Sequence, residues 1–478
     1  MKWISIALLI VGKVTCCFSQ NYQAVHGSPY SASLNVNNNP ASIVNTPLSW
    51  DITLFGTQLK SITNTFTIRN YSLISNPAKS IYSINEGNYA RYSHLNFNTN
   101  LLNARFALSR TKAIAFGLNL RGYGHLHTDA YNYIDTIKDI NNFLLTNTDG
   151  VNYNGRFKTS SWIEVFGSYG QTIWNDEYSR LNAGISVKVN RGLSGAFANL
   201  KNITVQKNID TINVGYEVLS GAIDYGYSSN FDRWQKEQSN SSNINDFINV
   251  TQAGASIDIG IEYLVKTQAV SSFNNEDDGY YEYEWKIGLS LLDLGRTVYR
   301  YGNKSRIASD PVVNATSVSI EDKFDELEDF AAFNDSLATL VRIFNGYNGR
   351  YNIVHPARIV MNVDKYLQND FYLNGELSVD LSRLAGSNRL YVRDLGFLAL
   401  TPRWETKRWG IFLPLQLTHQ NKFWIGAAFK AGPLLFGVHN LANLVAKNKM
   451  QNGGGYLALV IRSGTLTSAS RYKNMDCP

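Results

Sequence analysis

The stretch AGASIDIGIEYLVK, residues 253–266, alternates between apolar and polar side chains. Ala253, Ala255, Ile257, Ile259, Ile261 and Tyr263 fall on one face of an extended chain, and Ser256, Asp258, Gly260 and Glu262 on the other. Successive side chains of a strand point to opposite faces, so this is a strand with one dry face. A soluble sandwich turns that face to a protein core. A membrane barrel turns it to lipid and keeps the polar face toward a wet lumen.

The pattern recurs along the chain. Phe106 and Leu108 answer Ile114, Phe116, Leu118 and Leu120 across the turn SRTK, a hairpin candidate. Leu181, Ala183, Ile185, Val187 and Val189 alternate with polar neighbours, as do Tyr281, Tyr283, Trp285, Ile287, Leu289 and Leu291. Ile359, Met361 and Val363 lead through KYLQND to Phe371, Leu373, Leu377 and Val379. Trp409 to Leu417, Phe423 to Phe429, and Leu457, Leu459 and Ile461 continue it. Soluble strands average about 5–6 residues and spanning strands need about 9–11, so segments of roughly ten residues favour lipid. The opposite faces carry Asp258, Glu262, Glu282, Glu284, Lys286, Arg358, Asp364, Glu376, Asp380, Lys422 and Lys430, a mixed-sign set suited to a hydrated or salt-bridged interior. A sandwich could expose the same charges, so a soluble secreted β-sandwich binding protein stays open as an alternative.

Nothing in the 478 residues marks a linker, which favours one large architecture. Mean hydropathy is −0.21, and no internal run approaches the roughly 18 apolar residues of a spanning helix. A barrel survives that test, because only alternate residues meet lipid. Aromatic residues make up 13% of the chain, which suits interfacial girdles. A net charge of +6 with no dense Lys/Arg run implies no nucleic-acid partner.

The first residues, MKWISIALLIVGKVTCCFSQ, have a basic start, an apolar run and small residues before Gln20, which predicts a signal peptide over 1–19. Val14 and Thr15 make a poor lipobox before Cys16 and Cys17, and after cleavage only Cys477 remains, so no intramolecular disulfide is available. A polar segment over 20–47 then precedes a barrel expected over 48–463 and a tail over 464–478. Two stretches show helical spacing instead: 133–145, with Ile134, Ile137, Ile140 and Leu144, and 319–344, with Phe324, Leu327, Phe330, Leu337, Leu340, Val341 and Phe344. Both read as loop helices packing an apolar stripe on a barrel rim, the sharper alternative being a lid or docking helix.

Pro402-Arg403-Trp404, Leu413-Pro414-Leu415, Gly432-Pro433-Leu434 and Asn440, with Asn39-Pro40-Ala41 ahead of the first strand, resemble a Bacteroidota outer-membrane β-barrel family of unknown function. That family is similar in build to FadL-type channels and to PorV and PorP-like barrels. The resemblance implies an all-β fold: a transmembrane antiparallel barrel of about 14 strands (12–16), with short helices in loops. It also implies a lumen hatch at Asn39, Pro40 and Ala41, a location in the cell outer membrane, and no reaction. Many such barrels end on an aromatic residue, whereas this chain runs past Ile461-Arg462, leaving either a free tail or a misplaced last strand.

Chemistry finds little footing. His125 and His127 share a strand face, but no Cys or third His accompanies them, so a polar pair is expected rather than a metal site. Gly-x-Ser-x-Gly and His-Glu-x-x-His are absent, and neither His419 nor His439 is singled out for catalysis. The acidic run Glu276-Asp277-Asp278 lacks EF-hand spacing and reads as a solvated turn. Asp135-Thr136-Ile137, Asp210-Thr211-Ile212 and Asp335-Ser336-Leu337 resemble short O-glycosylation acceptors, a pattern that recurs by chance. The expectation is a non-enzymatic structural or partner barrel of the cell envelope, without cofactor or metal. Its partners would be outer-membrane lipid, the barrel assembly machinery and another envelope or secretion-system protein. The alternative within the membrane is a FadL-like channel for hydrophobic or amphiphilic small molecules.

Overall fold

The computed structural model describes residues 22–463 apart from 138, 210–213, 236, 267–282, 313–314, 325–326, 328, 387–388 and 448. The signal peptide expected over 1–19, the tail over 464–478, the acidic run at 276–278 and Glu282 lie outside the described residues.

Alternation with period two gives each strand a dry and a wet face, and the chain satisfies both by closing one antiparallel sheet of 14 strands into a barrel. In chain order these are β1 (Trp50–Thr63), β2 (Gly87–Ala107), β3 (Lys112–Tyr133), β4 (Asp149–Asn175), β5 (Ser179–Ile209), β6 (Ala253–Val265) and β7 (Trp285–Arg300). There follow β8 (Arg358–Gln368), β9 (Phe371–Asp380), β10 (Phe397–Glu405), β11 (Trp409–Phe412 and Leu415–Thr418), β12 (Phe423–Ile425 and Ala427–Ala431), β13 (Leu434–Val438) and β14 (Gly455–Arg462). Each pairs with the next, and β1 pairs with β14 from Asp51 opposite Arg462 to Gln58 opposite Tyr456, so the ring has no free edge. The last strand ends where the alternation placed it, at Arg462.

The sandwich alternative is overturned by this closure, since a single sheet encloses its own polar face. On β6, Ile257, Ile259 and Ile261 are 41%, 49% and 44% exposed, whereas Asp258 and Glu262 are 0% and 3% exposed. The same sorting holds for Ile287 and Leu289 against Lys286 and Ser290, and for Ile359 and Met361 against Arg358 and Asp364. Trp174, Tyr178, Tyr263, Trp285, Phe371 and Trp409 are all exposed and gather where strands meet the turns 176–178, 369–370 and 406–408, an aromatic girdle at that end. Most connections at this end are short. The opposite end carries longer ones: the hairpin Phe66–Arg69 with Ile81–Ile84, the helix Ile140–Thr146, and the residues between β5 and β6 and between β7 and β8.

Several expectations need correction. Tyr283 does not join the outward face of β7; the strand begins at Trp285, and Tyr283 turns into the lumen, where its hydroxyl donates to Asp364 Oδ2 at 2.5 Å. Glu284 is exposed at the same strand end instead of pointing inward. The turn KYLQND is mostly strand: β8 runs to Gln368, and the reversal is made by Gln368, Asn369 and Asp370 at φ 92°, 50° and 64°. The first helical stretch forms only Ile140–Thr146, started by Asp139, whose carboxylate accepts from the Asn142 N–H. The second divides into Ser317–Phe324 and Phe330–Ala338, while Val341 and Phe344 lie in the strand Val341–Gly346 paired to Arg306–Pro311. Strands are also longer than expected: β4 has 27 residues and β5 has 31, so they rise well past the membrane band as a wall on one side of the mouth.

Candidate functional site

The residues before β1 fill the lumen of the half nearer the short turns. Nearly every described residue from Tyr22 to Leu48 is buried, in short turns of helix at Gln23–Val25, Ala32–Asn35 and Pro40–Ile43. Asn39, Pro40 and Ala41 sit inside the barrel, seated on glycines of adjacent strands. Gly184 of β5 pairs directly with Gly260 of β6. A Cβ on Gly184 would lie 2.4 Å from the Pro40 carbonyl carbon and 2.5 Å from the Ala41 nitrogen, and one on Gly260 would lie 2.1 Å from Asn39 Oδ1. Only a residue without Cβ lets the wall approach this backbone so closely. Asn39 fixes the turn from both sides: its Oδ1 accepts the Ala41 N–H at 2.9 Å, and its Nδ2 donates to the Ile261 carbonyl at 3.0 Å. Pro40 occupies the first helical position, where no backbone N–H is needed.

Charged side chains of the wall hold the rest of the segment. Lys286 Nζ donates to the Gly27 carbonyl at 2.5 Å, and Ser28 Oγ donates to Glu405 Oε1 at 2.7 Å. His26 meets Glu376 through Nδ1, and Arg105 reaches the carbonyls of Ile43 and Leu48. Ser290 Oγ donates to the Asn38 carbonyl at 2.6 Å. Beneath Gly27 lies an ion-pair cluster in which Arg403 grips Asp364 with its two terminal guanidinium nitrogens, at 2.5 and 2.9 Å, and Lys430 meets Glu405 at 2.5 Å.

A second tier of buried charged side chains lies in the lumen beyond the plug. Asp293 accepts from Arg121 at 2.5 and 2.7 Å, from Lys188 at 2.8 Å and from Arg358 at 3.3 Å. Lys188 also meets Asp258 at 2.7 Å, Arg358 meets Asp394 at 2.8 Å, and Arg121 lies 3.5 Å from Glu164. These side chains are 0–7% exposed. Asp293 stands in a bulge of β7, where pairing with β6 slips between Leu291 and Leu294, and has φ 58°. The bulge is what turns Asp293 inward out of alternation. Over this layer Trp162 stacks on His355 with ring centroids 4.2 Å apart, and Tyr299 and Tyr351 pack beside Phe197. Paired charges and stacked rings therefore fill this level of the lumen with buried side chains.

Other singled-out residues serve the wall. Pro402 faces outward beside inward Arg403, and Trp404 is half-buried at the girdle end of β10. Pro414 interrupts β11 and packs on Gly426, where a Cβ would lie 2.8 Å from Pro414 Cγ. Gly432, at φ 56°, and Pro433 form the turn from β12 to β13. Asn440 lies far from that turn, in the connection before β14, donating to Asn452 Oδ1 at 2.7 Å. His125 stacks on His94 with centroids 6.1 Å apart, and His127 is exposed nearer the mouth. Among the described residues no group of three or more His, Cys, Asp or Glu is arranged to hold a metal.

The model for a family of unknown function, DUF5723, matches residues 40–440. No curated protein sequence matches the chain. Among solved structures it is similar to a Pseudomonas aeruginosa FadL homologue at 10% identity, covering 93% of this chain and 97% of that one, with a TM-score of 0.42. The Ralstonia pickettii toluene transporter TbuX also shares 10% identity, over 94% of this chain and 99% of its own, at a TM-score of 0.40. A TodX mutant, a monoaromatic hydrocarbon channel, shares 7% over 91% and 94%, at 0.41. By the span of the family match, the chain belongs to the DUF5723 family of unknown function.

Proposed function

We propose that the protein is a closed barrel of the outer membrane that serves the cell envelope as a docking scaffold and not as an enzyme. The observation that carries this reading is the two-tier closure of the lumen, first by the N-terminal plug and then by the Asp293 ion-pair layer. An apolar conduit would present an apolar lining there, and these tiers present charge. The loop end offers surface instead: Ile74, Ile81 and Tyr82 around one hairpin are 70%, 58% and 67% exposed, a face suited to another envelope protein. Outer-membrane lipid covers the belt, and the barrel assembly machinery inserts the chain. The test is conductance in planar bilayers, with mild-detergent purification of the native protein. The full chain is expected to be electrically silent and to carry a protein at fixed stoichiometry; deletion of residues 20–47 is expected to leave it low in conductance because of the second tier.

A second reading, a hatch that moves to pass amphiphilic molecules, draws on one feature. The side-chain amides of Gln23 in the plug, and of Asn100 and Gln416 on the inward wall, are buried without a protein hydrogen bond, so displacing the plug forfeits nothing at those groups. A large steady conductance after the deletion, with a bound acyl compound in place of a protein, would favour it.

A further inference from the structure

Between β5 and β6 the chain leaves the wall and returns to it. Ser228 bridges Tyr301, its N–H donates to the Gly195 carbonyl at 2.8 Å, and the Gln252 carbonyl accepts the Gly192 N–H at 3.2 Å, so both ends of the excursion are pinned at one level of β5. It contains a turn of helix at Ser229–Arg233 and the α-helix Asn240–Asn249. That helix buries a polar residue and leaves apolar ones in the open. The residue it buries is polar: Asn243, 2% exposed, whose amide bonds Gln235 N at 3.0 Å and Gln235 O at 2.8 Å. Beside exposed Ser241, Ser242, Asn245 and Asn249 it leaves two apolar residues in the open, Ile244 and Ile248, 51% and 42% exposed and one turn apart, with Phe231 and Trp234 at 46% and 52%. Phe247 packs edge-on against Phe231 with centroids 5.4 Å apart, which joins the two pieces into one apolar stripe.

The height of the excursion says what covers this stripe. β6 has 13 residues and spans the wall from the girdle end to the point where the excursion returns. Thirteen residues tilted by roughly 40° rise about 30 Å, and the apolar band of an outer-membrane barrel is about 25 Å tall. The stripe therefore lies just past the far rim of the belt and continues the outward row Ile185, Val187 and Val189 on β5. We infer that residues 229–235 and the helix 240–249 form an interfacial anchor, lying in the outer leaflet at the boundary of headgroups and acyl chains, with Phe231, Trp234, Ile244, Phe247 and Ile248 against lipid. The inference rests on the outer-membrane reading given above.

Single cysteines at positions 244, 248, 241 and 259, in the full mature chain carrying Cys477→Ser, would take an environment-sensitive fluorophore after reconstitution into phosphatidylcholine vesicles. All four positions are exposed, so labelling spares the packing. Labels at 244 and 248 are expected to be quenched by shallow nitroxide lipids more than by deep ones and to lose quenching by iodide, while 241 stays open to iodide and 259 responds to the deep probe. Iodide access at 244 and 248 with lipid quenching intact at 259 would overturn the anchor and leave the barrel reading standing. Protection at 244 and 248 without lipid quenching would overturn it as well, since protein would then cover the stripe. Absence of lipid quenching at 259 would remove the barrel reading and the anchor together.

Discussion

At the scale of single residues, the protein is governed by what fits inside a closed wall. Gly184 has no room for a side chain against Pro40 and Ala41, so Gly184→Val should cost about 1–3 kcal/mol by overpacking and drive the plug from its seat. Faster proteolytic trimming of the N-terminal segment in detergent would report it. Asp293 accepts from three buried cations, and Asp293→Ala leaves Arg121, Lys188 and Arg358 without their shared anion. A loss of about 3–5 kcal/mol is expected, read as a lower temperature for the heat-dependent mobility shift on electrophoresis. Outside the membrane band, Asp176 in the turn 176–178 is held down to about 2 by the indole N–H of Trp174 at 2.7 Å and by the Ser179 and Tyr178 N–H groups. Its folded value lies below the ordinary one, so its contribution is complete above the normal carboxylate range and disappears as pH falls through about 2. The NMR shift of the Trp174 indole N–H should report the Asp176 titration with a midpoint near there, and Asp176→Asn should abolish that pH dependence.

At the scale of the element, the outward face of β6 should tolerate no charge. Ile259→Arg is expected to cost about 2–4 kcal/mol near the midplane. Glu262→Gln, on the inward face, should leave insertion nearly intact, as fractionation of the two variants would show. This strand was wholly legible in the sequence because its period two runs unbroken from Ala253 to Tyr263. Legibility failed where the period breaks. The bulge after Leu291 puts Leu292 and Asp293 inward together, so Asp293, the hub of the second tier, sits on no consistent face of the written pattern. Its partners Arg121 and Lys188 belong to β3 and β5, neither of which is paired with β7 through the wall, and contacts between strands that are not neighbours leave no local trace. Asn39-Pro40-Ala41 could be picked out as a motif, but its seat could not. Gly184 and Gly260 are single glycines in different strands, and only the register brings them face to face. The loop helices were overextended for another reason: apolar spacing at 133–137 and 341–344 reflects packing on neighbours, and caps such as Asp139 and Asp329 set where the helices start.

At the scale of the whole molecule, the barrel is asymmetric. One side, built on β4 and β5, stands as a tall wall, and the other, from β9 to β14, is made of strands no longer than 10 residues. The strand Ile81–Ile84 stands exposed at the same end as that wall, with Ile81 and Tyr82 58% and 67% exposed.

The seam where β1 meets β14 is fastened by more than its own ladder. Ser33 of the plug gives its N–H to Asp51 on the first strand at 2.7 Å, and Tyr30, three residues earlier, offers its carbonyl to Arg462 on the last at 2.8 Å. Asp51 and Arg462 face each other across that seam. The plug therefore bonds to the first strand of the ring and to the last. The joint that closes the ring is thus held from inside by a third segment as well as by its own ladder, and parting it means breaking those bonds too.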